Sequence, residues 1–599
     1  MENGIISLEL LLQVPYVDSF EGFEISPNGK TVAYASNPTG QWEIYLLPLD
    51  GSSPARQVSQ GAGGKFAPRW SPDGKHLAYV LDLDGGEHYD IFIFDLQTNQ
   101  HLNLTPDTPD AIQNTYSWSP DGKWLAFISD RSGRFESYRL ASTGGDFHKL
   151  PELPFPVSRL VWSPDGRWIA AVIEASGQDA NIYILPAAGG EPFPVALNGQ
   201  PINARAPAWP PESGRLAFAS DILGSYNIGI FDIGSRRLTW LTEGGENKEM
   251  PAWSRDGKRL AYTCGKGPKN IIQVIDLENK ATTDYAVGVG IHNRPEFVPG
   301  DERLVFAYSD PHHPDDLWLL EPGVSGLRQL TNSLPASLQT ASFVRPQEVT
   351  YPSLDGRDVP ALLYQPLQPA AGLPAVVYIH GGPNWLTQIS WDPLTQHMLS
   401  RGWVVLAPNY RGSIGYGREW QLANRFDFGG KDTQDIVAGA KYLVESGLAR
   451  RGRIAVTGRS YGGYLTMTCL TQYPDYWVGG SAVVPFINWF TGHKNSRADL
   501  RHWDRENFGD PEKDYDRYYE RSPFFFLDRV KSPVQLICGA HDPRCPASES
   551  IQARDKLLEL GKVCDFVLYE DEGHSFLKTE NVLDHKKRLV EFLAGLLEG

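Results

Sequence analysis

The amino-acid sequence predicts a multidomain chain in which an all-β repeat domain precedes an α/β domain. Three observations carry this. The N-terminal half repeats one phrase seven times; the repeats stop after about residue 340; and from there apolar runs alternate with helical stretches. At 599 residues the chain exceeds what one hydrophobic core serves, and with 41% hydrophobic residues it has apolar material for two.

The repeats read ISPNGKTVAYAS, WSPDGKHLAYVL, WSPDGKWLAFIS, WSPDGRWIAAVI, WPPESGRLAFAS, WSRDGKRLAYTC and FVPGDERLVFAY. Their lead residues are Ile25, Trp70, Trp118, Trp162, Trp209, Trp253 and Phe297, spaced 44–48 apart. A period of this length marks a propeller or a solenoid. Ser-Pro-Asp-Gly is a tight turn, in which Pro presets φ and Gly accepts a positive φ. A short alternating strand follows each turn, and most repeats add a second, such as DIFIFDL or NIYILPA. Seven such units close naturally into a seven-bladed β-propeller. The competing form, a linear β-solenoid, needs capping segments that are not evident.

Beyond residue 340 the expected strands are 360–366, 374–380, 403–409, 453–458, 479–485, 533–539 and 565–570, with helices around 433–445, 461–472, 547–560 and 584–597. Continuous apolar strands separated by helices predict a parallel sheet covered on both faces. The expected divisions are 1–20 as a segment packing on the second domain, with a short helix near 5–13, then 21–340 and 341–599.

One motif places chemistry on this second domain. Gly458-Arg459-Ser460-Tyr461-Gly462 is a G-x-S-x-G, a weak signal alone. Here it directly follows the strand RIAVT and precedes a helix-like run, the strand–turn–helix elbow of an α/β-hydrolase fold. A serine nucleophile needs a base, and the base an orienting carboxylate, in the chain order Ser, Asp, His. Asp542 follows the strand ending at 539, and His574 follows the strand ending at 570, so both stand where open α/β sheets place their ligands. His380, His493, His502 and His541 precede Asp542 and break the order; Glu570 and Asp571 are too near His574 to replace Asp542. An oxyanion needs two N–H donors. Tyr461 follows the nucleophile, and the paired glycines of His380-Gly381-Gly382-Pro383 follow an early strand.

HGGP, NYRGSIGYG (409–417), GRSYGGY (458–464), HDPR (541–544) and DEGHSF (571–576) together resemble the prolyl oligopeptidase family of serine peptidases. The WSPDGK repeats look like the propellers of TolB and the oligopeptidases, so the resemblance covers nearly the whole chain. HGGP and Asp542-Pro543-Arg544 resemble the acylaminoacyl-peptidase branch most. The resemblance implies Ser460, Asp542 and His574 as triad, Gly382 and Tyr461 as oxyanion donors, and Arg544 as a ligand of a substrate carbonyl, with a structural ion pair as its alternative. It implies Phe486 and Trp489 as walls of an apolar S1 pocket; both can equally be core aromatics. Dipeptidyl peptidases of this family use paired glutamates to hold a free α-amine, and the chain has no adjacent Glu-Glu.

The expected activity is hydrolysis of short peptides, N-acylated or internal, through an acyl-enzyme, without metal or organic cofactor. A carboxylesterase or other small-molecule hydrolase is the alternative, and a non-catalytic propeller binding protein a more distant one. The net charge of −17 disfavours nucleic acid and anionic membranes as partners. Five cysteines without a CxxC pair read as reduced thiols, and the absence of a signal-like N-terminus and of a long apolar run reads as cytoplasmic. A homo-oligomer stays open.

Overall fold

The computed structural model describes residues 5–106, 110–322 and 326–599. They form two compact units. One comprises Pro15–Leu83 and Glu87–Leu334; the other takes the described residues up to Val14, Asp84–Gly86 and Pro335–Gly599.

The first unit is a ring of antiparallel four-stranded meanders. Five are separate sheets, beginning at Phe23, Gly64, Ile112, Val157 and Arg205. The last two share the long strand Thr282–Phe297, whose first half pairs with Asn270–Asp276 and whose second half pairs with Leu304–Asp310. The repeated phrase builds each blade twice over. Its turn locks itself: Ser71 Oγ donates to Asp73 Oδ1 at 2.7 Å, and the amides of Lys75 and His76 donate back to Asp73 Oδ1 and Ser71 Oγ. The same pattern recurs at Ser119, Ser163 and Ser254. Its tryptophan ties blade to blade. Nε1 of Trp70, Trp118, Trp209 and Trp253 donates at 3.0–3.1 Å to the backbone carbonyls of Glu24, Arg69, Val161 and Ala208, each on the preceding inner strand. Each such bond contributes about 1 kcal/mol. The ring is closed, not open: Phe23, Val32 and Tyr45 of the first blade share one core with Val305, Leu317 and Leu319 of the last. The Ile25 amide donates to Glu296 Oε1 at 3.0 Å across that seam.

The second unit is built on eight strands: β1 (Gln347–Pro352), β2 (Asp358–Tyr364), β3 (Leu373–Ile379), β4 (Val404–Pro408), β5 (Ala449–Arg459), β6 (Gly480–Val483), β7 (Val534–Gly539) and β8 (Cys564–Tyr569), in the order 1-2-4-3-5-6-7-8. β3 to β8 run parallel; β1 and β2 are antiparallel neighbours. The expectation of a wholly parallel sheet is corrected here: only five residues separate β1 from β2, too few for a crossover helix. Its faces are covered by α1 (Leu8–Leu12), α2 (Pro393–Ser400), α3 (Lys431–Glu445), α4 (Tyr461–Gln472), α5 (Trp489–Asn495), α6 (Ala498–Asn507), α7 (Ala547–Glu559) and α8 (Thr579–Leu597). α3 and α4 lie in one core layer with Val377, Leu406 and Val456. α1 lies in the other with α2 and α8, and His397 Nδ1 of α2 meets the Ile6 carbonyl at 2.8 Å. No helix among the described residues is long and apolar enough to cross a membrane, and all five cysteines are unpaired.

Candidate active site

The serine sits on a strained turn. Ser460, between β5 and α4, has φ +59° and ψ −123°, a region that non-glycine residues rarely occupy. The neighbouring glycines make the turn fit. A Cβ on Gly458 would come within 2.5 Å of the Gly462 carbonyl oxygen, and one on Gly462 within 2.3 Å of the Ile379 carbonyl oxygen. The Ser460 amide donates to the Val483 carbonyl at 2.9 Å, pinning the elbow to β6.

His574 faces this serine from the loop after β8. Its Nε2 lies 3.1 Å from Ser460 Oγ, and its Nδ1 lies 2.8 Å from Asp542 Oδ2. Asp542, on the loop after β7, is buried, and its Oδ1 accepts the amides of Arg544 and Cys545, each at 2.9 Å. Both carboxylate oxygens therefore have a partner, which fixes the orientation of Asp542 and aims Oδ2 at Nδ1–H of His574. Burial pulls the His574 imidazole below its ordinary value of 6.5, and the charge of Asp542 opposes part of that. The neutral imidazole is the form that can accept the serine proton. On acidification, kcat/KM is therefore expected to fall with a midpoint below pH 6.5 in a pH–rate profile; a midpoint above 7 contradicts the assignment.

The sequence rivals are engaged elsewhere. His380 Nε2 meets Ser413 Oγ at 2.9 Å, and His493 Nδ1 meets Asp504 Oδ2 at 3.1 Å. Asp571 is paired with Lys578.

The loop after β3 lies against the elbow. A Cβ on Gly381 would be 3.3 Å from Ser460 Cβ, and Gly382, at φ +122°, would thrust one into the Asn384 amide at 2.6 Å. Gly382, Ser460 and Tyr461 line a common cavity of about 290 Å³, together with Phe486, Trp489 and Arg544. Phe486 and Trp489 are wall and core at once: Phe486 stacks on Tyr464 at 4.6 Å and Trp489 on Phe508 at 4.1 Å. Arg544 is exposed.

Three supporting residues had no sequence signal. The Arg459 guanidinium donates to the His574 carbonyl, tying the elbow to the histidine loop. Buried Glu572 accepts the amides of Leu577 and Lys578 and so holds that loop's shape. Asp432, on the first turn of α3, accepts the Tyr461 hydroxyl at 2.6 Å. Burial pushes its carboxyl up to about 7, the tyrosine bond holding part of that rise down. In the NYRG motif, Arg411 is structural, forked between Asp355 and Asp435.

Propeller, α/β-hydrolase sheet and serine elbow together define a serine-type hydrolase. Residues 390–599 match the prolyl oligopeptidase family, and residues 23–153 and 156–334 match the TolB beta propeller domain. The chain therefore carries a prolyl oligopeptidase family domain behind a TolB-type propeller. It is 25% identical to dipeptidyl aminopeptidase BIII of Pseudoxanthomonas mexicana over 612 residues, covering 96% of this chain and 86% of that protein. It is 24% identical to the acylamino-acid-releasing enzyme of Rattus norvegicus, over 57% of this chain and 49% of that one. A puromycin-hydrolyzing peptidase of Mycobacterium tuberculosis shares the fold, with a TM-score of 0.83 at 22% identity over 99% of this chain and 96% of that one.

Proposed function

We propose that the protein hydrolyses short peptides by acyl transfer through Ser460, with His574 as base and Asp542 as its orienting partner. The observation that carries this reading is the position of one imidazole, 3.1 Å from Ser460 Oγ on one side and 2.8 Å from Asp542 on the other. Ser460 Oγ attacks the scissile carbonyl while its proton passes to His574 Nε2. The new imidazolium stays against Asp542. The Gly382 and Tyr461 amides take the charge that develops on the carbonyl oxygen. His574 then protonates the leaving amine. Water deacylates the ester by the same steps in reverse. Asp432 acts on the Tyr461 ring and so steadies the donor amide beside it.

The substrate class is a peptide with a blocked or internal acyl side and an apolar residue at the scissile bond. Arg544, on the cavity rim, has the donor fork that suits a carbonyl or acyl oxygen. The similarity to a dipeptidyl aminopeptidase supports a second reading, in which a free α-amine is bound two residues from the cleaved bond. The chain has no adjacent glutamates for that amine. One peptide library, with free and N-acetylated termini, separates the two. Cleavage of acetylated or internal bonds is the expected result. Strict release of dipeptides from free N-termini moves the protein to the second reading. Comparing kcat/KM for an N-acyl peptide and a p-nitrophenyl ester tests the esterase alternative; a peptide rate negligible beside the ester rate favours an esterase.

A further inference from the structure

The cavity beside Ser460 is a slot between two helix faces, and one end of it is polar. α5 and its C-terminal cap supply Trp489, Gly492, His493 and Ser496, spaced i, i+3, i+4, i+7, so they share one face. α6 supplies Leu500, Trp503 and Asp504 with the same logic. The walls are stiff: Trp503 stacks on Phe428 with the rings 5.4 Å apart and 3° from parallel, and Trp489 packs on Phe508. Gly492 keeps the slot wide. A Cβ there meets nothing closer than 3.8 Å, so neither packing nor backbone requires glycine at that point.

His493 and Asp504 are both largely buried, with side chains 7% and 13% exposed. Buried apart, a carboxylate and an imidazole are each costly; together they satisfy one another on one side only. With Nδ1 donating to the carboxylate, the neutral imidazole presents Nε2 as an acceptor. Nε2 has no hydrogen-bond partner among the described residues. A lone pair on the wall of an aromatic slot that also holds the nucleophile can accept from a hydroxyl donor, a contact that a side chain without the hydroxyl does not make.

We propose that this slot receives the side chain on the acyl side of the scissile bond and selects tyrosine, the ring packing on the aromatic wall that Trp489 and Trp503 contribute and the phenol O–H donating to His493 Nε2. The inference rests on Ser460 being the nucleophile. Phenylalanine fits the walls but leaves Nε2 unmet, and leucine loses the stacking as well. A lysine side chain would instead pair with Asp504, whose Oδ1 is not the oxygen that meets His493.

The experiment compares kcat/KM on N-acetyl-Ala-Ala-X p-nitroanilides with X as Tyr, Phe, Leu and Lys, in the wild type and in His493→Leu and His493→Gln. Tyr is expected to exceed Phe by about tenfold in the wild type. The Tyr-to-Phe ratio is expected to fall to about one in His493→Leu and to survive in part in His493→Gln, which retains an acceptor. The ratio does not depend on the fraction of enzyme that folds, so a destabilised variant still reports. A ratio near one in the wild type, a ratio unmoved by His493→Leu, or a preference for Lys overturns the inference. If the nucleophile assignment is what fails, hydrolysis of all four substrates persists in Ser460→Ala; if only the slot assignment fails, hydrolysis needs Ser460 but ignores the phenol.

Discussion

Ser460→Ala is expected to lower kcat on a peptidyl nitroanilide by on the order of 10⁶-fold, and to abolish labelling by a fluorophosphonate probe. The loss should be in chemistry, not folding. Ser460 Oγ bonds to His574 alone within the triad, whereas the turn is set by its backbone, through the amide to Val483 and the flanking glycines. Alanine tolerates the positive φ as poorly as serine does, so the strain is unchanged. Thermal unfolding should therefore shift by no more than a few degrees while activity disappears. Activity within tenfold of the wild type removes Ser460 from the mechanism.

Asp542→Asn is expected to cost about 10⁴-fold in kcat with the fold intact. The reason lies in the count of acceptors. Asp542 accepts two backbone amides on Oδ1 and the His574 Nδ1–H on Oδ2. Asparagine has one acceptor and one donor end. The two amides hold the oxygen on their side, so the Nδ2 donor faces His574. The imidazole must then turn to its other tautomer, which carries the proton on Nε2 and cannot accept one from Ser460. The loss should appear in kcat, with KM little changed, because no substrate contact is touched. A variant that keeps kcat within about threefold of the wild type refutes this role for Asp542.

Much of this architecture was readable from the chain because its determinants are local. The Ser-Pro-Asp-Gly turns fold on themselves within five residues, and their spacing counts the blades. β3, β5, β7 and β8 are marked by apolar runs, and each of Gly382, Ser460, Asp542 and His574 lies just past the end of one of them. β1 escaped because it is an edge strand with mostly exposed side chains, and so lacks an apolar run. α5 and α6 escaped for a different reason. They belong to an excursion between β6 and β7 whose buried faces are aromatic, small and charged rather than aliphatic, so no helical stripe shows. The pairing of His493 with Asp504, eleven residues away, and of Arg459 with the carbonyl of His574, 115 residues away, depends on how those elements pack. No spacing rule reports it.

The unit that carries the serine is interrupted: it takes the described residues up to Val14, and nearly all the rest from Pro335 onward. The intervening segment begins and ends at one place, where the Val17 amide meets the Asp315 carbonyl and Ser333 Oγ meets Asp316. During synthesis this imposes an order. α1 emerges first but finds α2 and α8 absent, and must wait while some three hundred residues of ring are made and closed behind it. The ring contains all of its own partners and can fold as it leaves the ribosome. The sheet cannot: β8, the His574 loop and α8 follow the rest of its strands in the chain. A nascent chain therefore carries a closed ring long before it carries a working serine, and hydrolytic activity waits for the His574 loop.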